Sequence, residues 1–314
     1  MRHSYKSHCR YILFVAVLML LFAVAGCEKE ENPKKVSLFK RADTEFVQEK
    51  HPQPNTLWFG FDLRLGPKEE VQIYTPFLRY LEKTTGKRFR IRFTENYEDT
   101  IENLGKGITH FAAIGTLSYA IGSDKYGTKY LVSGVNKDGD PRYHSIIFTR
   151  PDSSIEEMSD LRNRCFAFGS KMSTQGHLIP RKMLDDAGIK LEDLGRYIYT
   201  GSHINAVKSV LNGECDAGGT QDVLANRLAS ERKIKVIKIS SPYPSSLIAY
   251  NSRLDPATVE AVKSALLAFE PAGKHKHLLF DWDKTEMPLG FTVLNEFEIN
   301  KVKTLAQKYG LIIE

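Results

Sequence analysis

Cysteine is scarce in this chain, four among 314 residues, and no Cys–His spacing of the kind that holds a structural metal occurs. Cys9 and Cys27 sit near the N-terminus, which leaves Cys165 and Cys215 for the body of the protein. Each opens a predicted core strand, so two buried free thiols are expected, although an exported chain can join such a pair. Charge of one sign is also thin. The formal net charge is +6, and Arg2, Lys6 and Arg10 supply three of it. The remaining Lys and Arg residues are scattered, which argues against nucleic acid as a partner. There is no GxSxG elbow, no Walker loop and no pair of metal carboxylates, so no catalytic residue, metal or cofactor is expected. His203 and Ser173 could be imagined as base and nucleophile, but no orienting acid accompanies them. Solenoid repeats and low-complexity tracts are missing as well.

What is there begins with a basic stretch, MRHSYKSHCR, followed by the apolar run YILFVAVLMLLFAVAG. That run is shorter than the ~20 residues of a membrane-spanning helix, and with its basic flank it reads as a signal peptide over residues 1–26. It ends in VAGC, which resembles a bacterial lipobox, with Cys27 as the residue to be lipidated. Residues 27–55 are polar and charged and read as a flexible tether. The rest is long enough to bury a sizeable core.

From Leu57 onward strand and helix signals alternate. LWFGFDL is a strand; EEVQIYTPFLRYLEKTTG has apolar residues at helical spacing and a closing glycine. KRFRIRFT, ITHFAAIG, YHSIIFTR, CFAFGS, GRYIYTGS, CDAGGT and IKVIKIS read as strands. NYEDTIENLGKG, TLSYAIGSDKYG, SIEEMSDLRN, HINAVKSVLNG, QDVLANRLAS and DPATVEAVKSALLAFE read as helices. This rhythm is the α/β signature, and it occurs twice. Two such units imply a two-lobed cleft, with ligands at the C-terminal ends of the strands. The loops Gly115–Tyr119, Gly169–Gln175, Gly201–His203 and Gly218–Asp222 are rich in Gly, Ser, Thr and His, which suits an oxyanion. Ser173 and Thr174 stand where a helix begins. There they can cap it, or join its free N–H groups in holding an anion.

Five blocks then resemble the substrate-binding proteins of ABC importers for phosphate, phosphite and phosphonates. They are YLEKTTGKRF, NYEDTIENLGKGITHFAAIGTLSY, PRYHSIIFTRPDSSIEEMSDLRNRCFAFGSKMSTQGHLIPRKML, TGSHINAVKSVLNGECDAGGT and ISSPYPSSLIAYNSRLDPATV. The resemblance implies the type 2 periplasmic-binding fold, an α/β fold of two doubly wound sheets joined by a hinge. Residues 56–142 and 242–314 would form lobe 1, and 143–241 lobe 2. It implies that Tyr97, at the start of a helix, Tyr143, at the crossover between lobes, Ser173, Thr174 and His203 hold a tetrahedral oxyanion, with Thr116 and Ser118 opening the first-lobe helix as further candidates. His203 could donate as a neutral ring or add charge as an imidazolium. The family often reads S-T-S-G where this chain has STQG, so Gln175 departs from the pattern. Relatives that take aminoalkyl phosphonates use acidic groups near the strand that here reads CDAGGTQD, where Asp222 lies. The implied partners are a small phosphorus oxyanion and an inner-membrane permease. The implied location is the periplasmic side of a bacterial envelope, with a monomer anchored through Cys27. A ligand-sensing protein of the same fold, or one for a different small anion, is the alternative.

Overall fold

The computed structural model describes residues 56–312. The expected signal peptide, tether and Cys27 lie outside the described residues. The first lobe opens with β1 (Thr56–Phe61), α1 (Pro67–Thr85), β2 (Arg88–Ile91), α2 (Tyr97–Lys106), β3 (Phe111–Gly115), α3 (Thr116–Tyr126) and β4 (Lys129–Gly134). Local chemistry sets these boundaries. Pro67 lacks the N–H that a first helical turn leaves unpaired anyway, and Gly86, at φ 68°, takes the left-handed conformation that ends α1. Asn96 caps α2 by accepting from Asp99 N at 2.8 Å.

The chain crosses to the second lobe through β5 (Arg142–Tyr143) and builds β6 (Ser145–Thr149), β7 (Cys165–Phe168), α4 (Ile179–Asp186), β8 (Arg196–Tyr199), α5 (His203–Leu211), β9 (Ala217–Gln221), α6 (Asp222–Ser230) and β10 (Lys235–Ile239). It returns through β11 (Tyr243–Pro244) to β12 (Ser246–Tyr250), α7 (Pro256–Leu267), β13 (Phe291–Thr292) and α8 (Glu296–Lys308). The first sheet has the order β13-β4-β12-β3-β1-β2 and the second β10-β6-β9-β7-β8. In each, three neighbouring strands pair in parallel, and the strand laid down directly after a crossing, β12 or β6, runs against both its neighbours. The sheets are therefore mixed versions of the expected α/β lobes. The two crossing segments pair with each other, Tyr143 opposite Tyr243, and form a two-stranded hinge.

Each lobe has its own core. Phe59, Tyr74, Phe77, Phe269, Trp282 and Phe291 pack against one another in the first. In the second, Phe166, Phe168, Ile179 and Leu184 cover one face of the sheet, and Phe148, Val207 and Leu224 the other. The glycines of β9 allow close packing, because a Cβ on Gly219 would lie 2.6 Å from Pro180. Helix α8, in the segment expected to join lobe 1, touches both lobes. Its Val302 and Ala306 share a cluster with Leu117 of α3 and Ile179 of α4, and the Tyr309 hydroxyl donates to Asp185 at 3.0 Å.

Three local expectations change. SIEEMSDLRN holds only a 3-10 turn, Met158–Leu161, because the Asp160 carboxylate accepts from Glu156 N and Glu157 N and uses up the donors of a longer helix. The helix after Ser173 starts as a single π turn, Thr174–Leu178. Pro180 cannot donate to the Gly176 carbonyl, which accepts from Gly169 N at 2.8 Å instead. Finally, Cys165 and Cys215 are not free thiols. They form a disulfide with Cα atoms 4.7 Å apart, because β7 and β9 are adjacent and in register from Phe166 and Ala217.

Candidate functional site

The C-terminal ends of β1, β3, β7 and β9 converge where the lobes meet, as open α/β sheets dictate for ligand sites. On the second-lobe side, Ser173 Oγ lies 3.2 Å from His203 Nε2 and also accepts from Gly176 N at 2.9 Å. Ser173 thus both caps the π turn and faces the histidine. His203 opens α5, while Ser202 supplies the cap for that helix. Burial pushes the imidazole down to about 3, and the nearby Arg64 charge adds to the shift, so His203 is neutral at physiological pH. Of the two forms considered for His203, these surroundings favour the neutral ring, beside the Ser173 hydroxyl.

Several expected ligand residues are already engaged across the cleft. Thr174 Oγ1 accepts from Leu117 N at 2.9 Å, at the N-terminus of α3. Ser118 Oγ lies 2.9 Å from the Asp62 carboxylate and 3.2 Å from the Met172 carbonyl. Thr116 Oγ1 donates to the Ser245 carbonyl at 3.2 Å, and neither Thr116 nor Ser118 caps its helix. Gln175 is spent on the hinge. Its amide nitrogen donates to the His144 carbonyl at 2.8 Å, and its oxygen accepts from Ser245 Oγ at 2.5 Å. Asp222 is likewise tied to a crossover, accepting from His144 N and Val223 N at 2.8 Å each. Asp222 also lines, with Leu65, Tyr143, Arg227, Lys284 and Pro288, a cavity of about 450 Å³ at the mouth of the cleft.

Tyr97 and Tyr143 behave differently. Both are buried, and both hydroxyls lack a hydrogen-bond partner. Burial raises each phenol well above its ordinary range, so both remain neutral donors. Eight buried side-chain polar atoms lack partners among the described residues, and five belong to this region: Tyr97, Tyr143, Asp62 Oδ1, Gln221 Oε1 and Glu286 Oε1. Orphaned buried polar atoms are costly and rare, so their concentration singles out this junction, where the two phenols offer donors and the other three atoms are acceptors.

The first-lobe side carries residues that the sequence reading left out. Arg64 is buried and reaches Glu286 at 3.1 Å and Ser246 Oγ at 3.0 Å through Nη1. Burial opposes its charge, but Glu286, Tyr97, Tyr74 and Asp62 around it hold the guanidinium above its ordinary value. Burial pushes both Asp62 and Glu286 up to about 7, and the attraction of Arg64 offsets only part of that. Glu70 accepts from Arg64 N and Leu65 N and fixes the loop. A slot of about 10 Å³, the size of one water, is lined by Arg64, Gln221 and Glu286 and shares Leu65 and Lys284 with the mouth cavity. A usable signal existed for Asp62 and Arg64, because FDLRLGPKEE places charge directly after the first strand. Glu286 comes from an irregular segment with no such signal.

The profile of the family described as ABC transporter, phosphonate, periplasmic substrate-binding protein matches residues 59–290. The chain is 24% identical over 207 residues to the phosphate-import protein PhnD of Mycolicibacterium smegmatis, covering 61% of this chain. It is 25% identical over 216 residues to the phosphonates-binding periplasmic protein of Escherichia coli, covering 66% of this chain. In both cases the match spans 64% of the relative's own length. Among solved structures, PhnD1 of Prochlorococcus marinus in complex with methylphosphonate superposes with a TM-score of 0.73 at 19% identity, covering 83% of this chain and all of that one. The fold, the two lobes and the matched span agree, and the chain belongs to the family of periplasmic substrate-binding proteins of phosphonate ABC transporters.

Proposed function

We propose that this protein is the extracytoplasmic substrate-binding lipoprotein of an ABC importer and closes its lobes around a phosphorus oxyanion. In this reading Cys27 carries the lipid anchor, residues 27–55 tether the body to the membrane on the periplasmic side, and the monomer delivers its ligand to a permease. Lobe 1 comprises residues 56–142 and 242–314, and lobe 2 comprises residues 143–241. Ser173, Thr174, His203, Tyr97 and Tyr143 bind the oxyanion, with the amides at the starts of α3 and α5 beside them. Thr116, Ser118, Gln175 and Asp222 set the shape of the closed cleft. The observation that carries the reading is the pair of unpartnered, buried tyrosine hydroxyls at a junction that also holds the Ser173–His203 contact. Hydrogen bonds to a charged oxygen in such a dry site are stronger than neutral ones. Discrimination follows because a ligand lacking one oxygen leaves a buried donor unpaired. The names of the relatives point to phosphate and phosphonates, and one solved neighbour holds methylphosphonate.

The test is the melting temperature of the chain beginning after Cys27, alone and with phosphate, phosphite, methylphosphonate, 2-aminoethylphosphonate and sulfate. A ligand at 100 times its dissociation constant stabilises the fold by about 2.7 kcal/mol. A shift with one phosphorus compound, lost in His203→Ala, is the expected result. A shift with sulfate alone would replace the proposed ligand with a different anion.

A further inference from the structure

Among the described residues Arg64 is the one buried Arg or Lys; the carboxyls of Asp62, Glu70 and Glu286 are buried around it, and Asp222 is buried beyond Glu286. Its charge reaches Asp62, Tyr97, Tyr143, His203 and Glu286, which are the groups facing the junction of the lobes. Among the described residues, the side-chain bonds of the guanidinium run through Nη1 to Ser246 and Glu286, while Nε and Nη2 make none. Glu286 meets Arg64 through Oε2 only. That oxygen also lies 3.3 Å from Ser245 Oγ, while Oε1 has no partner. A guanidinium offers five donors in a fork suited to two oxygens of a carboxylate or phosphate. Here the fork is half used.

We propose that Arg64 is the charged anchor for the ligand oxyanion, and that the Glu286 carboxylate holds this anchor in the ligand-free cleft and competes with the ligand for it. The inference rests on the reading of the cleft as a phosphorus-oxyanion site and adds its charge logic. The second-lobe groups are neutral hydroxyls and a neutral imidazole, so they orient oxygens without compensating charge. Arg64 compensates it. Glu286 keeps the guanidinium from being buried alone when the cleft is shut and empty of ligand, a state that would otherwise be costly. Its carboxylate then repels the incoming anion, so the native site is weaker for oxyanions than its donors allow. The alternative role for Glu286 is a strut that only orients Arg64, and the two roles predict opposite signs.

The experiment is calorimetric titration of wild type, Glu286→Gln and the double variant Arg64→Met/Glu286→Gln with phosphate, phosphite and methylphosphonate. The double variant removes both charges together, so no buried acid is left without its cation. The expected result is that Glu286→Gln binds roughly tenfold or more tighter than wild type, at the low end of the coupling between close charge pairs, and that the double variant loses this gain. Binding by Glu286→Gln that equals or falls below wild type overturns the inference and leaves the proposed function standing. So does a double variant that binds as tightly as Glu286→Gln. If neither wild type nor Glu286→Gln binds any of the three anions while both stay folded, the phosphorus-oxyanion reading falls, and the inference with it.

Discussion

The two walls of the cleft differ in the chemistry they present to each other. Around Ser173 the second-lobe wall is neutral, with Thr174 and a histidine that burial keeps uncharged, and its buried acid, Asp222, is tied to His144 N and Val223 N at the crossover. The first-lobe wall is ionic, with Arg64 between Asp62 and Glu286, all three deeply buried. Neutral donors give directional selectivity at small cost when unoccupied. A buried charge gives strong attraction but needs a companion whenever the ligand is away. The wall with the cation therefore also carries most of the buried acids, Asp62, Glu70 and Glu286.

The largest effect that would break this comparison comes from Arg64→Met. Removing the cation leaves the buried Glu286 carboxyl without its ion-pair partner, and breaking such a pair by one partner costs about 3–5 kcal/mol. Urea unfolding at pH 8 measures it, and most of the loss should return in the double variant with Glu286→Gln. A single variant as stable as wild type would mean that the ionic wall is not coupled to the fold. On the neutral wall, Ser173→Ala should lose about 1 kcal/mol of stability from the lost cap. It should also lose about 1.5–3 kcal/mol of ligand affinity, typical of a hydrogen bond to a charged group. If stability falls and affinity does not, Ser173 is a cap and nothing more.

The difference between the walls also explains what could be read from the sequence. The alternation of strands and helices follows from apolar periodicity and turn residues, which are local signals, while the lobe bounds and the crossover at Tyr143 follow from the family resemblance. The neutral wall follows from short motifs, because Ser173, Thr174 and His203 each stand at a helix start. The ionic wall is assembled from residues 62–64 and 286, which become neighbours only after the chain has crossed to the second lobe and returned. Gln175 shows the opposite failure. Its place in the motif points at the ligand, yet its amide is taken by His144 and Ser245 at the hinge. Cys165 and Cys215 escaped for the same reason as Glu286, since only the strand order places them side by side.

A smaller effect separates the walls by pH. Glu286 sits at about 7 in the folded protein, above its unfolded value, so the folded state binds the proton more tightly. Its contribution is present below the unfolded carboxylate range and is lost as pH rises through 7. His203, depressed to about 3, works in the other direction, costing stability only as pH falls below its unfolded value near 6.5. The ionic wall thus weakens with rising pH and the neutral wall with falling pH. The melting temperature of wild type relative to Glu286→Gln should fall between pH 5 and 8, and a flat difference would place the carboxyl outside this linkage.

The smallest effect is also the cleanest test of the unpartnered hydroxyls. Tyr143→Phe removes an oxygen that has nothing to bond with in the ligand-free cleft, and an unsatisfied buried polar group costs about 1–3 kcal/mol. The variant should therefore melt slightly higher than wild type without ligand and gain less from the ligand that wild type binds. Thr109→Val is the matched control. Its hydroxyl is also buried and unpartnered, but it precedes β3, at the end of the strand away from the cleft. That variant should gain the same stability with no change in ligand response. If both variants lose ligand response equally, the effect belongs to the fold rather than to the site. If only Tyr143→Phe loses it, the unpartnered hydroxyl is a donor held in reserve for the ligand.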